Sequence, residues 1–153
     1  MSAQTPAPEG IVNFSRVDAT VACGGATEPS AIAALAAEGF KTVINLRLDS
    51  EPGVAAEAAV VEQAGLAYVH IPMDPQAPQA ATAERFLEVI ADPALQPVYV
   101  HCASANRVGA VWAIKRVVVD GWTRERAIEE GQAIGMKSPA MLEFVHRFLD
   151  ARP

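Results

Sequence analysis

From Phe14 to Cys23 polar and apolar residues alternate roughly as in a half-buried strand, ending at Gly24-Gly25, where the chain can turn tightly. Thr27 stands where an N-cap belongs, Pro29 falls in the first turn of a helix, and the alanine-rich run to Glu38 is stopped by Gly39. Thr42 to Leu46 (TVINL) is short, β-branched and apolar, as a strand covered on both faces should be. A helix from about Gly53 to Ala64 ends at Gly65 and leads into a strand at Ala67 to Ile71. After a proline-rich loop, Pro72 to Ala80, the pattern predicts a helix from Thr82 to Ala91, a turn at Pro93 to Pro97, and a strand at Val98 to His101.

No strand pattern recurs beyond His101. A nearly all-apolar helix over Val108 to Val119 is followed by one capped by Thr123, Arg124 to Ala133, and one capped by Ser138 with Pro139 at its first position. Alternating strands and helices with short connections predict an α/β fold: a small, mostly parallel central sheet flanked by helices, with a helical C-terminal half. The prolines of the first ten positions suggest a flexible N-terminus over 1–10 and a single domain over 11–153.

At 153 residues such a chain buries a core without staples, so its two cysteines are free for chemistry. Cys23 and Cys102 are too few and too far apart for a disulfide framework, and His70, His101 and His146 form no helical pair, so neither a metal nor another cofactor is expected. Net charge is -6 without a basic run, which argues against nucleic acid as a partner. The stretch MSAQTPAPEG lacks the basic and apolar regions of an export leader, and no apolar segment approaches membrane-spanning length. The expectation is a cytoplasmic protein with no membrane contact, although a leader already removed would leave no trace. Oligomeric state is not written in the sequence.

The chemistry concentrates in VYVHCASANRVGAVW, Val98 to Trp112. In open α/β sheets ligands bind beyond the carboxyl ends of the strands, and Cys102 leaves its strand just there, as a helix is about to begin. A loop closing onto a helix N-terminus turns backbone N–H groups inward and favours an anion; the same field favours a thiolate. Arg107 can bend back to offer a planar fork of donors to an oxyanion. His101 either supports this loop through hydrogen bonds or is merely the last strand residue.

Tyr99 to Trp112, with the order of elements and the helical C-terminal half, resembles the protein tyrosine phosphatase superfamily, particularly its dual-specificity branch. TVINLR at Thr42 to Arg47 and HCASANRVGAVW at His101 to Trp112 look closer still to the bacterial phosphatase-like domain found in β-lactamase-hydrolase-like fusion proteins. The resemblance implies that Cys102 is the nucleophile, Arg107 the oxyanion binder, and the amides of Ala103, Ser104, Ala105, Asn106 and Arg107 the cradle. Asp74 would be the general acid, against the plain alternative of a loop aspartate before proline. Three departures stand out: four residues rather than five separate Cys102 from Arg107, Ala105 replaces the usual loop glycine, and Val108 replaces the usual hydroxyl residue after the arginine. A four-residue spacer is what rhodanese sulfurtransferases use to enclose a persulfide.

Two further residues are candidates. Cys23, at the end of the first strand, could be a resolving thiol for Cys102 or simply a buried strand residue. Arg47 ends the TVINLR strand, either facing the anion pocket with Asp49 as partner or forming a structural salt bridge. Three functions remain open: hydrolysis of a phosphomonoester through a cysteinyl-phosphate, transfer of sulfane sulfur through a Cys102 persulfide, or weak anion binding with little turnover. The expected partner is accordingly a phosphorylated or sulfane-sulfur substrate.

Overall fold

The computed structural model describes residues 6–152, so part of the expected flexible start, 1–5, lies outside the described residues. The chain is already anchored at Gly10, whose carbonyl accepts from the Glu28 amide at 2.8 Å. The elements in order are β1 (Ser15–Asp18), β2 (Val21–Gly24), α1 (Pro29–Ala37), β3 (Thr42–Asn45), α2 (Val54–Gln63) and β4 (Ala67–His70). There follow α3 (Ala80–Ile90), a 3₁₀ turn (Pro93–Leu95), β5 (Val98–His101), α4 (Asn106–Val118), α5 (Arg124–Ile134) and α6 (Pro139–Asp150).

Five strands form one sheet in the order β1-β2-β5-β3-β4, with every pair parallel except β1 and β2. Strand parity divides the side chains between two cores. Val98 and Val100 of β5 point with Val21, Cys23 and Ile44 into the larger core, against α3, α4, α5 and α6. Tyr99 points with Ala22 and Val43 to the other face, where Ile32 and Leu35 of α1 and Val61 of α2 cover it. Helix α4 is buried on nearly all sides, from Arg107 to Ile114, which explains why its sequence shows no polar face.

Three details differ from the sequence reading. The single strand expected from Phe14 to Cys23 is an antiparallel pair, because Asp18 turns the chain: its carboxylate accepts from the Thr20 amide at 2.8 Å and the Thr20 hydroxyl at 3.0 Å. Thr27 does not cap α1; Glu28 occupies the N-cap without a side-chain bond, and the Thr27 hydroxyl pairs with that of Tyr99 at 2.6 Å. Gly24 and Gly25 matter for close approach rather than turning. A Cβ on Gly24 would stand 2.3 Å from the Tyr99 hydroxyl, and one on Gly25 2.8 Å from the Ala103 carbonyl oxygen.

Candidate active site

Strand β5 lies between β2 and β3, and beyond its C-terminal end the chain turns to α4 on one face of the sheet while the helices that follow β2 and β3 cover the other, so the connections part there. Cys102 follows it directly, and the loop to Asn106 turns the chain into α4. Outward contacts shape this loop. The Ala103 carbonyl accepts from the Ala26 amide at 2.7 Å, and the Ser104 carbonyl from Asn13 Nδ2 at 3.0 Å. A trans peptide sets its N–H opposite its C=O, so turning these carbonyls outward turns the amides of Ser104 and Ala105 inward. Ala105 completes the curve at φ 72°, as the N-cap of α4, a conformation ordinarily reserved for glycine. Four intervening residues thus close the loop onto the helix, with α4 supplying its positive end.

Asn106 braces the far side. Its Oδ1 accepts from the amides of Lys137 and Ser138 at 2.8 and 3.2 Å, and its Nδ2 donates to the Ser138 hydroxyl at 3.1 Å. Cys102 is fully buried at the floor of the loop. Arg107 is nearly as buried, and the Cys102 side chain is close enough to favour its charged form.

The guanidinium of Arg107 has a partner that sequence reasoning missed. Its Nη1 and Nη2 donate to the two oxygens of Glu51 at 2.7 and 2.8 Å, and Nη1 also donates to the Met73 carbonyl at 3.1 Å. Glu51 Oε2 accepts besides from the Leu48 amide at 2.6 Å. The Arg107 hydrogen bond holds the Glu51 carboxyl below the usual carboxylate range. For Arg107, burial works to lower its pKa, but the Glu51 hydrogen bond and the Cys102 sulfur outweigh it and the net shift is upward. The bond to Met73 also fastens the loop after β4 beside the site. Asp74, the next residue, is exposed there, with its carboxylate accepting from the Gln76 amide at 2.9 Å.

His101 is wholly buried and tied on both sides. Its Nε2 lies 2.7 Å from Glu57 Oε2 and its Nδ1 3.4 Å from the Cys102 carbonyl, while the ring stacks on Tyr99 at 5.5 Å. His101 is at the same time the last residue of β5. Arg47 is not paired with Asp49. It donates to Glu57 at 3.3 Å and to the Pro52 carbonyl at 2.9 Å, whereas Asp49 lies 3.5 Å from His70. Arg47 and His101 therefore share one buried carboxylate. Cys23 sits opposite Val100 on β2, two residues out of step with Cys102, and desolvation pushes its thiol far up, away from reactivity.

Glu51 and Glu57 left only a faint signal in the sequence, two acids downstream of the TVINLR strand. What brings them beside Arg107 and His101 is how the β3–α2 connection and the first turn of α2 fold back, which spacing alone does not report.

With this geometry in view, residues 6–146 match the family described as DSP-PTPase phosphatase fused to NAD+ kinase. The chain belongs to that family. It is a cysteine-based phosphatase domain. The "Beta-lactamase hydrolase-like protein" of Xylella fastidiosa is 34% identical over 104 residues, covering 65% of this chain and 24% of that protein. The chain therefore spans about a quarter of the length of those curated relatives. Among solved structures, TpbA of P. aeruginosa superposes with a TM-score of 0.73 at 24% identity, covering 93% of this chain and 86% of that one. The core catalytic domain of the PP-IP phosphatase SIW14 from S. cerevisiae, solved with citrate, gives 0.78 at 17% identity, covering 92% and 87%. These likenesses establish that the DSP-PTPase domain has the expected fold.

Proposed function

We propose that Cys102 is the nucleophile of this phosphatase, that Arg107 and the amides from Ala103 to Arg107 hold the phosphoryl oxygens, and that Asp74 protonates the leaving group. The observation that carries the reading is the open edge of Arg107. A guanidinium has five N–H donors. Glu51 takes one from each Nη and Met73 takes the second from Nη1. Among the described residues no oxygen takes Nε–H or the remaining hydrogen of Nη2. Those two donors form one parallel edge, suited to two oxygens of a phosphoryl group, and the Cys102 side chain is close enough to favour the charged form of the same guanidinium.

The sulfur attacks phosphorus, and the bond from phosphorus to the ester oxygen breaks. The departing oxygen takes the proton of Asp74. Water then cleaves the S–P bond, releasing inorganic phosphate and restoring the thiolate, with Asp74 as the base. Arg107 and the loop amides bind the equatorial oxygens in both steps. TpbA of P. aeruginosa has been solved in complex with pTyr. An aryl phosphomonoester is accordingly the substrate class to try first.

The test is the mass gained at Cys102 after separate exposure to an aryl phosphate and to thiosulfate. Acid-quenched protein should carry a phosphoryl group from the first and nothing stable from the second. A persulfide without phosphoryl transfer would return the site to sulfur chemistry. Cys102→Ser should lose turnover by at least about 10³-fold, since the hydroxyl supplies no thiolate at neutral pH, while circular dichroism stays unchanged.

A further inference from the structure

Beside the anion loop, on the face of the sheet covered by α1 and α2, lies a cavity of about 520 Å³. Its walls are apolar: Ile11, Val12, Pro29, Ile32, Ala56 and Val60. Cys102, Asp74 and the loop from Ala103 to Arg107 contribute nothing to its lining, so it is separate from the place where phosphorus would react. Its size falls within the range of small-molecule pockets, and so does its character of apolar walls with few polar groups.

Four polar side chains line it: Thr27, whose hydroxyl is engaged by Gly25 and Tyr99, the exposed Glu28, and Arg47 and Glu57, both more than nine-tenths buried. Among the described residues Arg47 uses three of its five donors, on Asn45, Pro52 and Glu57, which leaves one hydrogen on each Nη. Each Glu57 oxygen is taken, one by Arg47 and one by His101. An anionic head in the cavity would meet Glu57 and the carboxylate of Glu28, and a cationic one would meet the Arg47 guanidinium. Desolvating either without a full partner is costly. An uncharged acceptor, by contrast, can use the spare donors of Arg47.

The cavity bears on the anion loop at two points. Glu57 Oε2 is 2.7 Å from His101 Nε2, whose ring reaches the Cys102 carbonyl at 3.4 Å. Ala26, also in the lining, donates its amide to the Ala103 carbonyl at 2.7 Å. A ligand that shifts either contact shifts the peptides that aim the loop amides.

We propose that this cavity is a regulatory site for a small uncharged amphiphile, an apolar body with a carbonyl or hydroxyl acceptor directed at Arg47, and that its occupancy changes the anion affinity of the neighbouring loop. The experiment is a titration of the ¹⁵N-labelled chain, followed by amide shifts, with hexanamide as probe and hexanoate and hexylamine as charged controls. Hexanamide should give saturable shifts at Ile32, Ala56 and Val60, and the controls should bind at least about tenfold more weakly, as expected when a charge is buried unpaired. Ala56→Phe, on an exposed helix position, should fill the space and remove those shifts; Val60→Phe is the second variant should the first not fold. Saturating hexanamide should alter the affinity for inorganic phosphate, read at the loop amides, by about fivefold or more, the low end of ordinary coupling between sites.

Absence of saturable shifts, shifts that persist in the filled variants, or equal binding of the charged controls would overturn the site. Unchanged phosphate affinity would overturn its regulatory role. Shifts at the same residues that follow protein concentration alone would assign the cavity to a second copy of the chain and overturn the proposal. Phosphate that moves no loop amide even without hexanamide would instead refute the anion cradle, and with it the coupling, while the hexanamide titration still decides whether the cavity binds.

Discussion

At the scale of single residues, Glu51 determines what Arg107 can do. Two charge-assisted bonds hold the guanidinium in one plane, and its other edge meets no oxygen among the described residues. Glu51→Gln keeps the shape but loses the charge and one acceptor. It should lower kcat/KM for an aryl phosphate by about 10-fold or more through a wandering Arg107, a loss of positioning. A rise in activity would show instead that Glu51 obstructs the site. The same pair should appear in stability. Because the folded pKa of Glu51 lies below its ordinary value, its contribution is complete above about pH 4.5 and fades as pH falls through the folded value. Melting curves from pH 6 to 3 should therefore slope less in Glu51→Gln than in the parent. Asp74 calls for a different measurement. Asp74→Asn should slow hydrolysis by about 10²-fold or more with poor leaving groups and far less with p-nitrophenyl phosphate, since only a poor leaving group needs the proton. Equal rates with phenyl phosphate would reduce Asp74 to a loop residue.

Among the elements, the contacts of the β2–α1 connection with the anion loop govern the geometry of the site. Gly25 lets the two backbones meet: a methyl group there would lie 2.8 Å from the Ala103 oxygen and 3.0 Å from the Ser104 Cα, and neither can swing aside as a side chain would. Gly25→Ala should displace the loop and raise the dissociation constant for phosphate by about 10-fold or more, an overpacking effect, with helix content unchanged. Titration by calorimetry checks this, and parent-like binding would mean that the loop shifts freely. These contacts also show which parts of the site were legible in the sequence. The strand TVINL, the helix stops at Gly39 and Gly65, and the caps at Thr123 and Ser138 carry local signals, and the structure has them where the pattern put them. The Asp18 turn carries none that alternation could report, since the polar and apolar rhythm runs on through it. Cys102 and Arg107 announced themselves because strand, loop and helix are contiguous in the chain. Glu51, Glu57 and Asn13 did not, because each reaches the site across tens of residues, and such pairings are set by how the elements stack.

On the scale of the whole molecule, the site grows from the strand with neighbours on both sides. β5 pairs with β2 and β3 along its full length, and the helix that follows it is buried through Ile114. Local opening of proteins is drawn from edges and ends, whereas segments like this one open only when everything does. In urea, loss of catalysis and loss of tryptophan signal, to which the fully buried Trp112 contributes, should therefore share one midpoint. Activity vanishing well before the fluorescence change would show a loop that comes apart by itself. The placement of β5 also bears on how damage would be seen. A core substitution that touches neither the loop from Cys102 to Arg107 nor the residues packed on it would leave each surviving molecule working at full rate and would reduce only how many survive. Such variants should display a normal KM, a normal rate per titrated thiol, and a shortfall solely in the yield of competent enzyme.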